Sequence, residues 1–394
     1  MRGRIIYALT IILAVAYIFI GHGIMDLSYF DNPDGYVEQY EKARVASVES
    51  RIENRMEYDG FEGRSEIEIT FTAKISSGDL KGQEITCTQN LSPFLMADYK
   101  EVEEGDYVMI VRTEFDDETG SHDRWDFAEY VRLDALIWLG VLFAICLIVF
   151  GRGKGFNTLI SLVLTVAAVF LVFVPAILAG RNIYLWSIIT CVFVIAVTLI
   201  LVNGASLLSL SAGLGCFCGV TCAGIITLVM DKIVKLTGYT DEHSVYITYL
   251  NPNVEIDLKA VIFGAIIVGA VGAILDVSVD IAASLREISR KVENISAGEL
   301  FKSGITIGRD IIGTMTNTLI LAYIGSSLCV VLLLVAYYMN SIEYLFNREM
   351  IVVEILQALV GSFGILLAIP LTSLICSVLY TRKHSDDNDY GLLD

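Results

Sequence analysis

Residues 260–283 read AVIFGAIIVGAVGAILDVSVDIAA, a run of 24 residues whose only ionisable side chains are Asp276 and Asp280. An α-helix needs about 20 mostly apolar residues to cross the hydrocarbon core of a bilayer. The run therefore predicts a membrane-spanning helix, and it decides the class of fold that we expect for the chain.

Other runs along the chain have a similar length and a similar apolar composition. A shorter run of 16 residues, Ile5–Ile20, follows Arg2 and Arg4 and is typical either of a retained anchor or of a signal peptide. The residues after it are not a clear cleavage site, which favours the anchor. We predict an α-helical polytopic membrane protein with about eight spans. The six further long runs are Leu133–Phe150, Phe156–Ala179, Ile183–Val202, Leu207–Met230, Ile311–Met339 and Ile351–Tyr380.

Composition supports this class and excludes several others. Of the 394 residues, 55% are hydrophobic and 18% are charged, whereas soluble domains contain about 25% charged residues. The net charge of -18 argues against a nucleic-acid partner, which requires a basic surface. No HExxH, Walker A or GxSxG motif occurs in the sequence, so we expect neither an enzyme nor a cofactor.

The segment between the first two runs has a different composition. From Asp31 to Val131 it contains 25 acidic and 10 basic residues, a net charge of -15. Several stretches alternate apolar and polar residues, as half-buried strands do. We predict a small β domain over residues 27–132, either a sandwich or a barrel, and a five-stranded barrel of the OB kind is one solution. The alternating stretches are Ala43–Val48, Ser65–Ile75, Gly82–Thr88 and Tyr107–Thr113.

The distribution of Lys and Arg predicts how the spans are oriented. With eight spans and a cytoplasmic N-terminus, the inner segments carry eleven basic residues and the short outer loops carry five. This bias places both termini in the cytoplasm. The predicted layout is a membrane anchor over 1–26, an extracytoplasmic β domain over 27–132, seven spans over 133–380 and an acidic cytoplasmic tail over 381–394.

Three residues of the opening run and the serine directly after it form a stripe along one helix face. Gly272, Asp276, Asp280 and Ser284 are each four residues apart. Small residues at such spacing let helices approach closely, so we expect the stripe to face the helix bundle. Carboxylates at this spacing repel each other. A bound cation, a shared proton or an arginine must compensate for the repulsion.

A second polar face opens the next predicted span. Asp310, Gly313 and Asn317 share a helix face, with Thr314 and Thr318 beside it. The predicted topology puts both polar faces in the inner half of the membrane. Their side chains offer oxygen ligands only, which suit hard cations or protons.

Two interpretations of these polar faces remain open at this point. In the first, Asp276, Asp280 and Asp310 line a pathway for an ion, a proton or a substrate. In the second, the aspartates pair with Arg309 or Arg286 and lock helices together.

Two stretches resemble the signature of the bacterial YibE/F-like membrane proteins. They are LDVSVDIAASLREI, over residues 275–288, and GRDIIGTMTNTLILAYIG, over residues 308–325. The resemblance implies a multi-span protein of the bacterial cytoplasmic membrane with one anchor and a small outer β domain. It carries no biochemical activity over to this chain, so the aspartates and Asn317 transfer only as motif positions.

The polar faces make a transporter or permease our leading hypothesis. Asp276, Asp280 and Asp310 would bind a cation or carry protons, and Asn317, Thr314 and Ser284 would add neutral oxygens. The alternative is a non-transporting scaffold or assembly component whose acidic outer domain binds a partner. Besides the lipid bilayer, the expected partners are a second copy of the chain or another membrane protein.

Overall fold

The computed structural model describes residues 2–25, 39–55, 65–78, 80–92, 100–117, 120–240, 242–250, 253–292, 295–338 and 341–385. The chain divides into two compact units. One unit spans Asn32–Cys146, and the other combines Met1–Asp31 with Leu147–Asp394. The last nine residues of the predicted cytoplasmic tail lie outside the described part.

The first unit contains a closed five-stranded barrel, which selects the barrel over the sandwich. The strand order around the barrel is β1-β2-β3-β5-β4, and only the β3–β5 pair is parallel. The strands are β1 (Gln39–Arg55), β2 (Ser65–Ile75), β3 (Glu84–Leu91), β4 (Tyr107–Asp117) and β5 (Gly120–Tyr130). The four alternating stretches fall on β1 to β4, and none of them falls on β5.

The alternation of buried and less buried residues along the strands explains which side chains form the core of the barrel. Along β2, every second residue from Ile69 to Ile75 is buried while the residues between them are not. Cys87 of β3 is fully buried in the same core, and burial raises the pKa of its thiol to about 12. The one cysteine in a polar segment of the sequence is therefore a core residue.

The rest of the described chain is helical. A π-helical turn, Val169–Phe173, separates the second and third helices. The helices are α1 (Arg2–Ile24), α2 (Leu133–Ala168), α3 (Val174–Leu178), α4 (Ile183–Asn203), α5 (Leu207–Val234), α6 (Glu242–Tyr249), α7 (Leu258–Lys291), α8 (Ala297–Ser326), α9 (Leu328–Tyr338), α10 (Ile342–Asn347) and α11 (Glu349–Ser385).

The α2 helix is interrupted at Arg152, between two of the predicted spans. Arg152 has φ 50° and ψ −129°, far from helical values. A Cβ added at Gly155 would collide with the carbonyl oxygen of Leu147. In a straight helix these residues would be about 12 Å apart. The chain therefore folds back at Arg152, where the sequence predicted a loop between two runs.

By length and composition, six described helices are apolar enough to cross a membrane. The α8 and α9 helices pass the same test together, with a 65° bend between them, which gives seven if the pair is one span. This count takes the interrupted segment Leu133–Leu178 as a single helix. The helical class with a small β domain is confirmed, while the number of spans and their orientation stay predictions.

Five helices, α4, α5, α7, α8 and α11, surround the largest hydrophobic core. The α11 helix runs antiparallel to α5 and to α8 and packs against both at glycines, where the absence of a side chain permits close approach. The contacts pair Gly215 with Thr372 and Gly219 with Ala368 between α5 and α11, and Gly304 with Ser373 and Gly308 with Ile369 between α8 and α11.

Candidate functional site

The predicted stripe lies on an open face of α7. Gly272, Asp276 and Asp280 are exposed, and Ser284 is half-buried. A Cβ added at Gly272 would meet no described atom within 4 Å. The opposite side of α7 is buried in the largest hydrophobic core. Its buried residues include Ile274, Val277, Ser278, Ile281 and Leu285.

The expectation that this stripe faces the bundle is therefore wrong for the described chain. The small residues at Gly272 and Ala273 suggested close packing, but the aliphatic side chains of α7 form the packed side. Burying a large aliphatic side chain contributes about 1.5–3 kcal/mol, which favours that side of the helix. Close approach by small residues occurs instead at Gly264 and Gly269, which contact Phe173 and Tyr323.

The second polar face is also open. The α8 helix starts at a capping box, in which Ser296 and Glu299 bond each other's backbone N–H groups. Its early glycines, Gly304 and Gly308, are buried against α11. The polar residues begin directly after Gly308. Arg309, Asp310, Thr314 and Asn317 are exposed.

Two contacts show how α7 and α8 lie beside each other. A Cβ added at Gly269 of α7 would be 2.7 Å from the hydroxyl oxygen of Tyr323 on α8. A Cβ added at Gly304 of α8 would be 3.0 Å from Cδ1 of Leu285 on α7. An early residue of each helix thus contacts a late residue of the other, so α7 and α8 are antiparallel neighbours.

This pairing brings the two polar faces to common levels along the helices. Both helices rise by about 1.5 Å per residue. Between the two contacts, Asp280 therefore falls near the level of Asp310, and Asp276 falls near that of Thr314. Asn317 lies about one turn beyond Thr314. The expectation of similar depth thus agrees with the relation between these two helices.

Buried hydroxyl groups lie close to these polar faces. Thr316 Oγ1 and Tyr323 Oη are buried, and neither has a hydrogen-bond partner among the described residues. Buried hydroxyls usually find a partner, and a missing one points to an unseen water or ion. Tyr323 lies against Gly269, one turn before the stripe on α7. Polar atoms between α7 and α8 therefore retain unused bonding capacity.

One of the two arginines proposed as pairing partners, Arg309, does not bond the aspartates. Within the described residues, no ion pair joins Arg309 to Asp276, Asp280 or Asp310. Arg309 is exposed, and Arg286 is half-buried near the end of α7. Arg309 therefore does not relieve the repulsion between the two carboxylates, and pairing with Arg286 stays a prediction.

The described residues contain no preformed metal cage. No group of three or more His, Cys, Asp or Glu side chains in the described ranges could hold a metal ion. Cys216, from the cysteine-rich part of α5, is fully buried, and its Sγ lies 3.9 Å from the carbonyl oxygen of Val271. Cys216 packs in the core, as a small hydrophobic residue does.

A buried set of hydroxyl groups was not predicted from the sequence. Tyr380 Oη lies 2.7 Å from Ser211 Oγ and donates to the carbonyl oxygen of Ala282 at 3.2 Å. Thr372 Oγ1 lies 3.3 Å from Ser278 Oγ. These bonds join α5, α7 and α11 inside the core. Serines and threonines scattered through apolar runs carried no periodic signal that would have marked them.

Comparison with known proteins gives one match. A family model described as YibE/F-like protein matches residues 139–382, which include both polar faces. The five strands of the barrel lie outside the matched range. No curated protein and no solved structure matches the chain. Because the matched range covers more than half of the 394 residues, the chain belongs to the YibE/F-like family.

Proposed function

We propose that this protein is a membrane transporter or permease, without enzymatic activity, whose pathway follows the open faces of α7 and α8. One observation carries the proposal. Acidic side chains on two neighbouring helices, Asp276 and Asp280 on α7 and Asp310 on α8, lie at similar levels within or beside long apolar segments and are uncovered by the chain.

Electrostatics explains why this arrangement favours a pathway. An aspartate that faces acyl chains at the centre of a helix costs about 2.5–3.5 kcal/mol in insertion experiments. In a membrane, Asp276 and Asp280 must therefore face water or another protein. Water along this face would form a polar path beside α7, and a second copy of the chain or a partner helix would close it.

The available ligands favour a small ion. The described residues offer no three-ligand cage for a metal. Asp276 and Asp280 lie one turn apart, so a shared proton or a hydrated monovalent cation would relieve their repulsion. Asn317 and Thr314 are neutral and exposed on α8, and they would act as hydrogen-bonding groups for the ion's water shell.

A flux assay in proteoliposomes tests the proposal. The purified chain is reconstituted, and flux of protons, Na⁺ and K⁺ is followed with trapped indicator dyes, with and without a pH gradient. Empty liposomes serve as the control. Flux of at least one ion above the empty liposomes is expected. The absence of flux for all three ions would contradict the proposal.

A scaffold role is the second candidate, and a different observation favours it. The first part of α2, before the break at Arg152, exposes its apolar side chains on every side. Trp138 and Phe150 are 73% and 87% exposed. Apolar side chains suit either lipid or a partner's helix. If this role is correct, the chain co-purifies with a membrane partner after crosslinking at Trp138, and the flux assay is negative.

A further inference from the structure

The barrel contains a cleft of about 900 Å³ that no part of the proposed transport site uses. The cleft lies between the first half of β1, the end of β2 and the turns that precede β3 and β4. Its volume is in the range of small-molecule sites. Arg44, Lys74 and Lys81 line it together with Tyr107 and Glu104.

Two of these cations are held side by side by the strand register. Arg44 of β1 is directly opposite Lys74 of β2, and like charges at such positions repel. Glu84 is opposite Lys74 on its other side, in β3. Within the described residues, however, neither Lys74 nor Lys81 forms an ion pair. The repulsion therefore persists in the chain.

Arg44 is fixed in the cleft. Its Nε donates a hydrogen bond to the carbonyl oxygen of Gly105 at 3.4 Å. Its guanidinium carbon lies 5.6 Å from the centre of the Tyr107 ring. The strand also carries a β-bulge between Val45 and Ser47, directly after Arg44. Bulges change the direction of side chains and are frequent beside binding sites.

The charge of the cleft is opposite to that of its domain. From Asp31 to Val131 only 10 residues are basic against 25 acidic ones, and three of the ten line this cleft. Among the described residues that line the cleft, Glu104 is the one acidic side chain. The positive charges of the cleft attract an anion to this place, and the acidic side chains over the rest of the domain repel it.

We propose that this cleft binds an anion that carries phosphate groups. The Arg44 guanidinium matches two phosphate oxygens with paired N–H donors, and Lys74 and Lys81 supply two further positive charges. Such an anion also relieves the repulsion between Arg44 and Lys74. Its phosphate belongs either to a lipid headgroup or to a soluble molecule.

Titration calorimetry on the full chain in phosphatidylcholine nanodiscs tests this binding. The probes are inorganic pyrophosphate, for a soluble phosphate anion, and glycerol phosphate, for a lipid headgroup. Binding of either probe is expected, with an affinity that falls as salt is added. Tighter binding of glycerol phosphate identifies a headgroup, and tighter binding of pyrophosphate identifies a soluble anion. Binding of neither probe would overturn the proposal.

Matched variants test whether the probe binds in this cleft. Lys74→Gln and Lys81→Gln each lower the affinity about tenfold, the weight of one charge-assisted hydrogen bond. Lys100→Gln removes a lysine outside the cleft and leaves the affinity unchanged. Glu104→Gln removes the opposing charge and strengthens binding. Unchanged melting temperatures show that the variants are folded. Equal affinities of the Lys74, Lys81 and parent proteins, or an equal loss in the Lys100 variant, would overturn the proposal.

Discussion

Gly219 of α5 lies so close to Ala368 of α11 that a Cβ added at Gly219 would be 2.9 Å from the Ala368 Cβ. The same added atom would be 2.9 Å from Cγ2 of Ile274 and 3.2 Å from the carbonyl oxygen of Gly364. Three helices, α5, α7 and α11, therefore meet at one glycine. The packed side of α7 is at this junction, and the polar stripe is on its other side.

Alanine substitutions at Gly219 and Gly272 distinguish the packed side of α7 from its open side. Gly219→Ala forces backbone and side chains apart, and overpacking of this kind costs about 1–3 kcal/mol. Gly272→Ala meets open space and gains up to about 1 kcal/mol from the better helix propensity of alanine. Thermal unfolding of the purified variants should show a lower melting temperature for the first and an equal or higher one for the second. A loss at Gly272 as large as that at Gly219 would mean that another protein packs on the stripe in the purified sample.

The buried set of hydroxyl groups predicts that the protein loses stability when one of these groups is removed. Tyr380→Phe removes the hydroxyl that contacts Ser211 and Ala282. A lost hydrogen bond of this kind costs about 1 kcal/mol. Tyr337→Phe changes a tyrosine that is 76% exposed and serves as the control. Denaturant titration should show a lower stability for the Tyr380 variant only. Equal stabilities would show that the buried bonds do not contribute.

The barrel core predicts an unreactive thiol at Cys87. Burial raises the pKa of this thiol to about 12, and the nearby carboxylate of Asp126 adds to the shift. Between pH 7 and pH 9 an ordinary thiol with a pKa of about 8.5 gains thiolate about 25-fold. Maleimide labelling of Val48→Cys, on the exposed side of β1, should accelerate over this range, while Cys87 stays unlabelled until the protein is unfolded. Rapid labelling of native Cys87 would contradict the barrel core.

The same shift predicts how the stability of the barrel depends on pH. The folded state holds the Cys87 proton up to about pH 12, whereas the unfolded state releases it near pH 8.5. Deprotonation therefore favours the unfolded state, and stability falls as the pH rises between these values. Cys87→Ala should weaken this alkaline loss, which circular dichroism of the β signal would follow.

Membrane topology is tested by labelling intact cells with an impermeant maleimide. The exposed native thiols are first replaced by serine. Cysteine at Val48, on the barrel, should be labelled, and cysteine at Lys302, near the start of α8, should react only after the cells are opened. Both positions are exposed on the chain, so burial does not confuse the result. The reverse pattern would contradict the predicted orientation.

The sequence predicted the helical class because apolar composition is a property of each run by itself. It also predicted the first four strands, since alternation along β2 needs only one buried face. The β5 strand was missed because the charged residues Asp123 and Glu129 stand in step with Trp125 and Phe127, which leaves only two apolar residues in the alternating pattern. The break at Arg152 was anticipated as a loop between two runs.

The rule that small residues mark the packed face of a helix did not predict the orientation of the α7 stripe. Gly272 and Gly219 are both glycines in apolar helices, yet only Gly219 contacts another helix. Which face packs depends on the competing aliphatic face of the same helix and on the partner helices that it meets. Those partners are set by tertiary contacts, which a pattern within one segment does not contain.

If Asp276 takes part in ion movement, its carboxylate is required for flux through the protein, and a comparison of three proteins tests this requirement. Flux of the ion that the parent protein moves is measured in proteoliposomes of the parent, of Asp276→Asn and of Glu287→Gln at equal protein density. Asn preserves the shape of the side chain and removes its charge, while Glu287 lies on the same helix but pairs with Lys291 outside the apolar run. We predict that Asp276→Asn loses the flux while folding normally, and that Glu287→Gln retains it. Equal flux in all three proteins would contradict the claim.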